Sequence, residues 1–254
     1  MNVGNVLDKE IKKHKIKNET QAKIVTNSNR LVLAKELLTA IEKSVKLILE
    51  KKEKVIMAIP GGRSVKDLFE LFKFSNLPWE KIHIFWVDDR LVNNDSQESN
   101  YKLAYDSFIK FLIENKKLPE RNVHPFKLDE SDEKKGIKDY ESELKKFGNK
   151  FDISIFGVGE DGHIGALYPK HHSIFDENDF FIMMDDSPKL PKERMTGTKK
   201  LFRRSQYAFV LFIGKAKRDA YLGYLDKSKD IKDFPVKIID DIDESFIFTD
   251  IGNN

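Results

Sequence analysis

Short continuous apolar runs alternate along this chain with longer stretches whose apolar residues recur every three to four positions. "QAKIVTN" predicts an edge strand. "NSNRLVLAKELLTAIEKSVKLILEKKEK" predicts a helix: Leu31, Leu33, Leu37, Leu38, Ile41, Val45 and Ile48 fall near helical spacing, with Asn27, Ser28 or Asn29 as its cap. "KVIMAI" (54–59) reads as a short buried strand ended by Pro60, Gly61 and Gly62. "SVKDLFELFKF" reads as a helix capped by the Ser64 hydroxyl, with Asp67 three positions on, close to a capping box. "IHIFWV" (82–87) is the next strand, followed by the polar loop "DDRLVNNDSQESN". "YKLAYDSFIKFLIENKK" is helical, "NVHPF" a short strand, and "DEKKGIKDYESELKKF" a charged amphipathic helix. Further strands are predicted at "FDISIF" (151–156), "FFIMM" (180–184), "YAFVLFI" (207–213) and "SFIFTD" (245–250), with "KAKRDAYLGYLD" as a helix between the last two.

The strand runs are continuous rather than alternating, which is the signature of strands covered on both faces. With helices between them, they predict an α/β fold: a mostly parallel sheet with helices on both faces. No internal repeat or Gly/Ser linker breaks the pattern, and the lysine-rich "KSKDIKDF" (227–234) reads as a solvated connection. The expected organisation is a charged N-terminal extension, 1–20, and a single α/β domain, 21–254.

Composition narrows the function classes. The net charge is +3, from 45 Lys and Arg against 42 Asp and Glu, a weak bias that suits an anionic small molecule. No basic stripe with interleaved aromatics points to nucleic acid. The chain has no cysteine, which excludes disulfides, thiolate catalysis and cysteine metal sites. No apolar run approaches the ~20 residues of a membrane helix, and the charged start lacks the apolar core of a signal peptide. A cytoplasmic enzyme or binding protein, with no membrane partner, is expected.

Candidate chemistry sits in three polar loops that follow predicted strands, where ligands of open parallel sheets bind. Pro60-Gly61-Gly62-Arg63-Ser64 has the features of an anion cradle: glycines for close approach, a helix start beyond them, and the Arg63 fork. An ordinary strand-to-helix turn would also favour the glycine pair. In Asp88-Asp89-Arg90, the guanidinium suits a carboxylate or oxyanion; read alone, Arg90 is an exposed partner of Asp88 or Asp89, worth ~0–1 kcal/mol. The third loop, Gly157 to His163, carries G-x-G-x-x-G followed at once by histidine. Near neutral pH His163 can take a proton from water, and Asp161 can orient its ring. The plainer alternative is a histidine satisfied by backbone contacts, which fits His14, His83 and His124. His171 and His172 are adjacent, so their side chains would diverge in extended chain. With no other ligand constellation, no metal site is expected. A dinucleotide loop is rejected, because Pro169 interrupts the helix that must follow the third glycine.

Together these loops resemble the 6-phosphogluconolactonase family. Its G-x-G-x-D-G-H hallmark, running on to a small residue and Leu-Phe-Pro, reads here Gly157-Val158-Gly159-Glu160-Asp161-Gly162-His163 and then Ala166-Leu167-Tyr168-Pro169. Its Ser-Gly-Gly-Ser-Thr-Pro loop resembles Pro60 to Val65. Its Asp-Glu-Arg with a following Ser-Asn resembles Asp88-Asp89-Arg90 with Ser99-Asn100. Pro-x-x-Arg-Ile-Thr matches Pro191 to Thr196, and the late Gly-x-x-Lys matches Gly214 and Lys217.

The resemblance implies the Rossmann-like fold shared with glucosamine-6-phosphate deaminases and ribose-5-phosphate isomerases. It implies cofactor-free hydrolysis of 6-phospho-D-glucono-1,5-lactone in the oxidative pentose phosphate pathway, by a monomer or small homo-oligomer. The catalytic set it implies is His163, Asp161 and Arg90. The substrate-binding set is Gly61, Gly62, Arg63, Ser64, Asp88, Gly159, Arg194 and Lys217. The chain departs from the pattern at Arg63, Ser64, Val65 and Asp89, and at Ile164 and Gly165. Ile164 is shared with the deaminases, but Tyr168 stands where those enzymes carry a catalytic Glu, and Arg90 where they usually have Tyr. A deaminase or isomerase on the same fold, or a non-catalytic sugar-phosphate sensor, are the competing expectations.

Overall fold

Asn29 caps the first long helix, its side chain accepting from the amides of Leu31 and Val32. The computed structural model describes residues 22–252, so the N-terminal extension expected at 1–20 lies outside the described residues. Strand β1 (Lys23–Thr26) precedes that helix, α1 (Arg30–Leu49), and β2 (Val55–Ile59) follows it. A 3-10 turn (Arg63–Val65) then runs into α2 (Lys66–Phe72). After β3 (Ile82–Trp86) and β4 (Asp88–Arg90) come α3 (Asn100–Ala104), a π turn (Tyr105–Ile109), α4 (Lys110–Glu114) and α5 (Ile137–Lys145). The remainder is β5 (Ile153–Gly157), α6 (His172–Phe175), β6 (Phe181–Met184), β7 (Arg194–Gly197), α7 (Lys199–Arg203), β8 (Tyr207–Phe212), α8 (Arg218–Leu225) and β9 (Glu244–Thr249).

Six strands pair in the order β1-β9-β8-β5-β2-β3, every pairing parallel, with β1 at the predicted edge. The continuous apolar runs arise because successive residues face different cores. Val55, Met57 and Ile59 point to the layer that holds Leu37 and Ile41 of α1 and Phe69 of α2. Ile56 and Ala58 point to the layer that holds Tyr140 of α5, Phe202 of α7 and Tyr224 of α8. Each fully buried aliphatic or aromatic side chain contributes roughly 1.5–3 kcal/mol, so a charge at any of these positions would break a layer.

Four expectations change. Asp88-Asp89-Arg90 is a strand, not a loop: β4 pairs antiparallel with β7, which pairs antiparallel with β6. The 180–184 run therefore belongs to this second sheet and not to the parallel one. Ser64 is not a cap. It lies inside the 3-10 turn, which tightens the chain so that the Lys66 amide donates to Arg63, and neither this turn nor α2 has a side-chain cap. "NVHPF" is reduced to one parallel bridge, Val123 to Ile84, because the chain turns away at Pro125. β7 and the 3-10 segment Pro235–Asp241 are elements that no apolar run announced.

Candidate active site

The 3-10 turn after β2, the loop after β5 and the 3-10 turn (Lys215–Lys217) after β8 emerge side by side, because those three strands are neighbours. With β4 and β7 they enclose an open cavity of about 540 Å3. It is lined by Gly61, Gly62, Arg63, Ser64, Asp88, Arg90, Gly159, His163, Arg194 and Lys217, so all the predicted site residues except Asp161 face one space. Asp161 stands behind His163.

The His163 loop is tied down at several points. Val158 bridges Ile164, the Gly159 amide donates to the His163 carbonyl at 2.8 Å, and the Ala166 amide donates to Thr196 Oγ1 of β7 at 3.0 Å. Inside this turn His163 Nδ1 lies 2.5 Å from Asp161 Oδ1, which leaves Nε2 as the nitrogen directed to the cavity. A Cβ on Gly159 would sit 2.0 Å from that Nδ1, so glycine makes room for the pair. Burial works to raise the Asp161 carboxyl, but hydrogen bonding and charge from His163 outweigh it and hold the group at about 2. The ring of Tyr168, buried, packs 4.7 Å from the imidazole, and its hydroxyl accepts from Ser187 Oγ.

Arg90 does not pair with Asp88 or Asp89. Its terminal nitrogen donates to the Glu98 carbonyl and lies 3.7 Å from the Glu98 carboxylate, and its buried Nε has no partner among the described residues. Asp89 is instead a buried anchor. It accepts from the amides of Arg90, Asn100 and Tyr101 and from the Ser99 hydroxyl, fixing the strand to the start of α3. Burial pushes its carboxyl up to about 6, with those hydrogen bonds acting against it. Asn100 then reaches over Gly61, where a Cβ would meet its side chain at 1.8 Å, and donates to the Asp88 carbonyl. Arg194 is buried, with Nε and one terminal nitrogen donating to the carbonyls of Pro191 and Leu190; its other terminal nitrogen lies 3.9 Å from Asp88.

Sequence reasoning missed Arg30, Lys189 and Lys215, which also line the cavity. Nothing distinguished them among 45 basic residues. Among the described residues, seven basic side chains line this space against Asp88 and Glu160. Arg63, Lys189, Lys215 and Lys217 form no ion pair among the described residues, although burial lowers the Lys217 ammonium. Such an imbalance in a concave, partly desolvated site favours an anionic ligand. His171 and His172 do not diverge. His171 is the N-cap of α6 and His172 its first residue, and the turn brings both onto Asp186.

The sequence profile described as glucosamine-6-phosphate isomerases/6-phosphogluconolactonase matches residues 28–248. The 6-phosphogluconolactonase of Borreliella burgdorferi is 30% identical over 202 residues, 80% of this chain and 86% of that one. That of Synechocystis is 28% identical over 218 residues, 83% and 88%. The crystal structure of 6-phosphogluconolactonase from Thermotoga maritima shares the fold with a TM-score of 0.74 at 24% identity, over 91% of this chain and 99% of that one.

Proposed function

Because the chain belongs to the glucosamine-6-phosphate isomerase/6-phosphogluconolactonase family, we propose that it hydrolyses 6-phospho-D-glucono-1,5-lactone to 6-phospho-D-gluconate, a step of the oxidative pentose phosphate pathway. The observation that carries this reading is the Asp161-paired imidazole of His163 facing a cavity lined mainly by cations. Among the described residues, no helix is long and apolar enough to cross a membrane. Residues 21–254 act as one cytoplasmic domain, as a monomer or small homo-oligomer, with no nucleic-acid partner.

The chemistry follows from the donors present. His163 Nε2 takes a proton from water as the water oxygen attacks the lactone carbonyl, and ionised Asp161 offsets the charge formed on the ring. Arg90 faces the developing oxyanion. Collapse of the tetrahedral intermediate breaks the bond to the ring oxygen, which takes the proton back from His163. Gly61, Gly62, Arg63 and Ser64 with Arg194 and Lys217 hold the phosphate, and Asp88 and Gly159 border the sugar. A lactone is already activated, so positioning, one base (~10²–10⁴-fold) and charge stabilisation suffice.

A deaminase would need a carboxylate where Tyr168 stands, and that hydroxyl is buried against Ser187. A sensor would have no use for the Asp161–His163 pair. The test is lactone opening followed by pH-stat, corrected for spontaneous opening, with glucosamine 6-phosphate in parallel. Acceleration of the first and no ammonia from the second is expected. Ammonia release, or no acceleration, overturns the reading.

A further inference from the structure

Outside this cavity, His171, His172 and Asp186 bring two imidazole nitrogens and a carboxylate oxygen within 4.8 Å of one another. The N-cap geometry of His171 (φ −92°, ψ 153°) and the helical turn beginning at His172 bring the two rings to 4.1 Å between centroids. Asp186, just beyond β6, places Oδ1 3.2 Å from His171 Nε2 and 2.9 Å from His172 Nε2. We propose that these three side chains bind a divalent transition-metal ion, with Zn2+ as the best match to their donors.

Two imidazole nitrogens and one carboxylate oxygen suit zinc and its neighbours rather than magnesium or calcium, which take oxygen ligands. A tetrahedral ion ~2.0–2.2 Å from each donor sets donors roughly 3.3 Å apart, close to the two imidazole–carboxylate distances present, and all three donors lie within 4.8 Å of one another. The ring of His171 is also supported from behind. Its Nδ1 lies 3.0 Å from Ser173 Oγ, which is buried and accepts from the Tyr168 amide at 3.1 Å. Nδ1 also accepts from the Ser173 amide at 3.2 Å, as the cap of α6. When Nε2 gives its lone pair to a metal, the ring proton moves to Nδ1, which exchanges that amide contact for donation to the hydroxyl, the outer support that metal-bound histidines use. His172 and Asp186 are more than half exposed, so an ion reaches the site without unfolding.

Occupancy would join α6 to the segment that follows β6 and carries Lys189 into the cavity. His171 also packs edge-on against Tyr168, the residue beside His163. The binding readout is independent of lactone hydrolysis, so failure of one does not mimic failure of the other.

The test is equilibrium dialysis of the full, untagged chain against ZnCl2, with Co2+ absorption spectra to report four-coordinate binding. One ion per chain is expected, with affinity lowered at least about tenfold by His172→Ala and by Asp186→Asn, and unchanged by His163→Gln. Circular dichroism confirms that each variant is folded, and His172→Gln gives a second, less intrusive change. No binding by the parent chain, unchanged affinity in the His172 and Asp186 variants, or loss on His163→Gln overturns the proposal.

Discussion

A methyl group at position 159 would lie 2.0 Å from His163 Nδ1 and 2.6 Å from Asp161 Oδ1. The ring and the carboxylate must then separate or swing together, while the backbone turn around them stays hydrogen-bonded through Gly159, His163 and Ala166. Gly159→Ala is therefore expected to keep its melting temperature within a few degrees and to lose roughly 10- to 100-fold in kcat for the lactone, the cost of moving a base by about 1 Å. Steady-state kinetics alongside a thermal melt checks this; unchanged kcat would mean the imidazole position is immaterial. The same scale shows what a sequence conveys about a site. Asp161-Gly162-His163 was legible because glycines bracket two titratable groups after a strong strand. Asp89 was not: its role depends on four donors, three of them from residues 99 to 101, which only the fold brings onto it.

Elements with their own apolar run were legible, and those that borrow burial from neighbours were not. Parallel strands β2, β3, β5 and β8 announced themselves because both faces are covered, and each ends in glycine, proline or a polar turn. β7, Arg-Met-Thr-Gly, has one large apolar residue and is buried only because β4 and β6 flank it. At the far end of β3, His83 Nδ1 lies 2.8 Å from His124 Nε2, and His124 Nδ1 lies 3.0 Å from Glu143 of α5, tying three elements together. Burial, then the charges of His124, Lys54 and Arg121, push the His83 imidazole down to about 4, from 6.5 in the unfolded chain. Between pH 6.5 and 4 the unfolded chain takes up a proton that the folded chain refuses. This contribution to stability is complete above pH 6.5 and is lost on acidification, at most roughly 3 kcal/mol. Asp89, raised to about 6, acts in the opposite sense over part of the same range. Urea midpoints at pH 7 and pH 5 should fall for the parent chain and fall less for His83→Phe. Equal falls would remove the histidine pair as the cause.

Across the whole molecule, adjacency in the parallel sheet turns remote segments into one rim. The turns after β2, β5 and β8 meet because their strands are neighbours, and the small antiparallel sheet brings Arg90 and Arg194 to the same space. The order of strands was not legible, since apolar runs specify burial and not partners; only the polar ends of the runs hinted at a common edge. The account rests on a division of labour along that rim, with His163 acting on the lactone and cations retaining the phosphate. Lactone turnover by His163→Gln, measured above the spontaneous rate, tests it most directly. The account predicts a kcat lower by ~10²–10⁴-fold with little change in KM; turnover at the parent rate would contradict it.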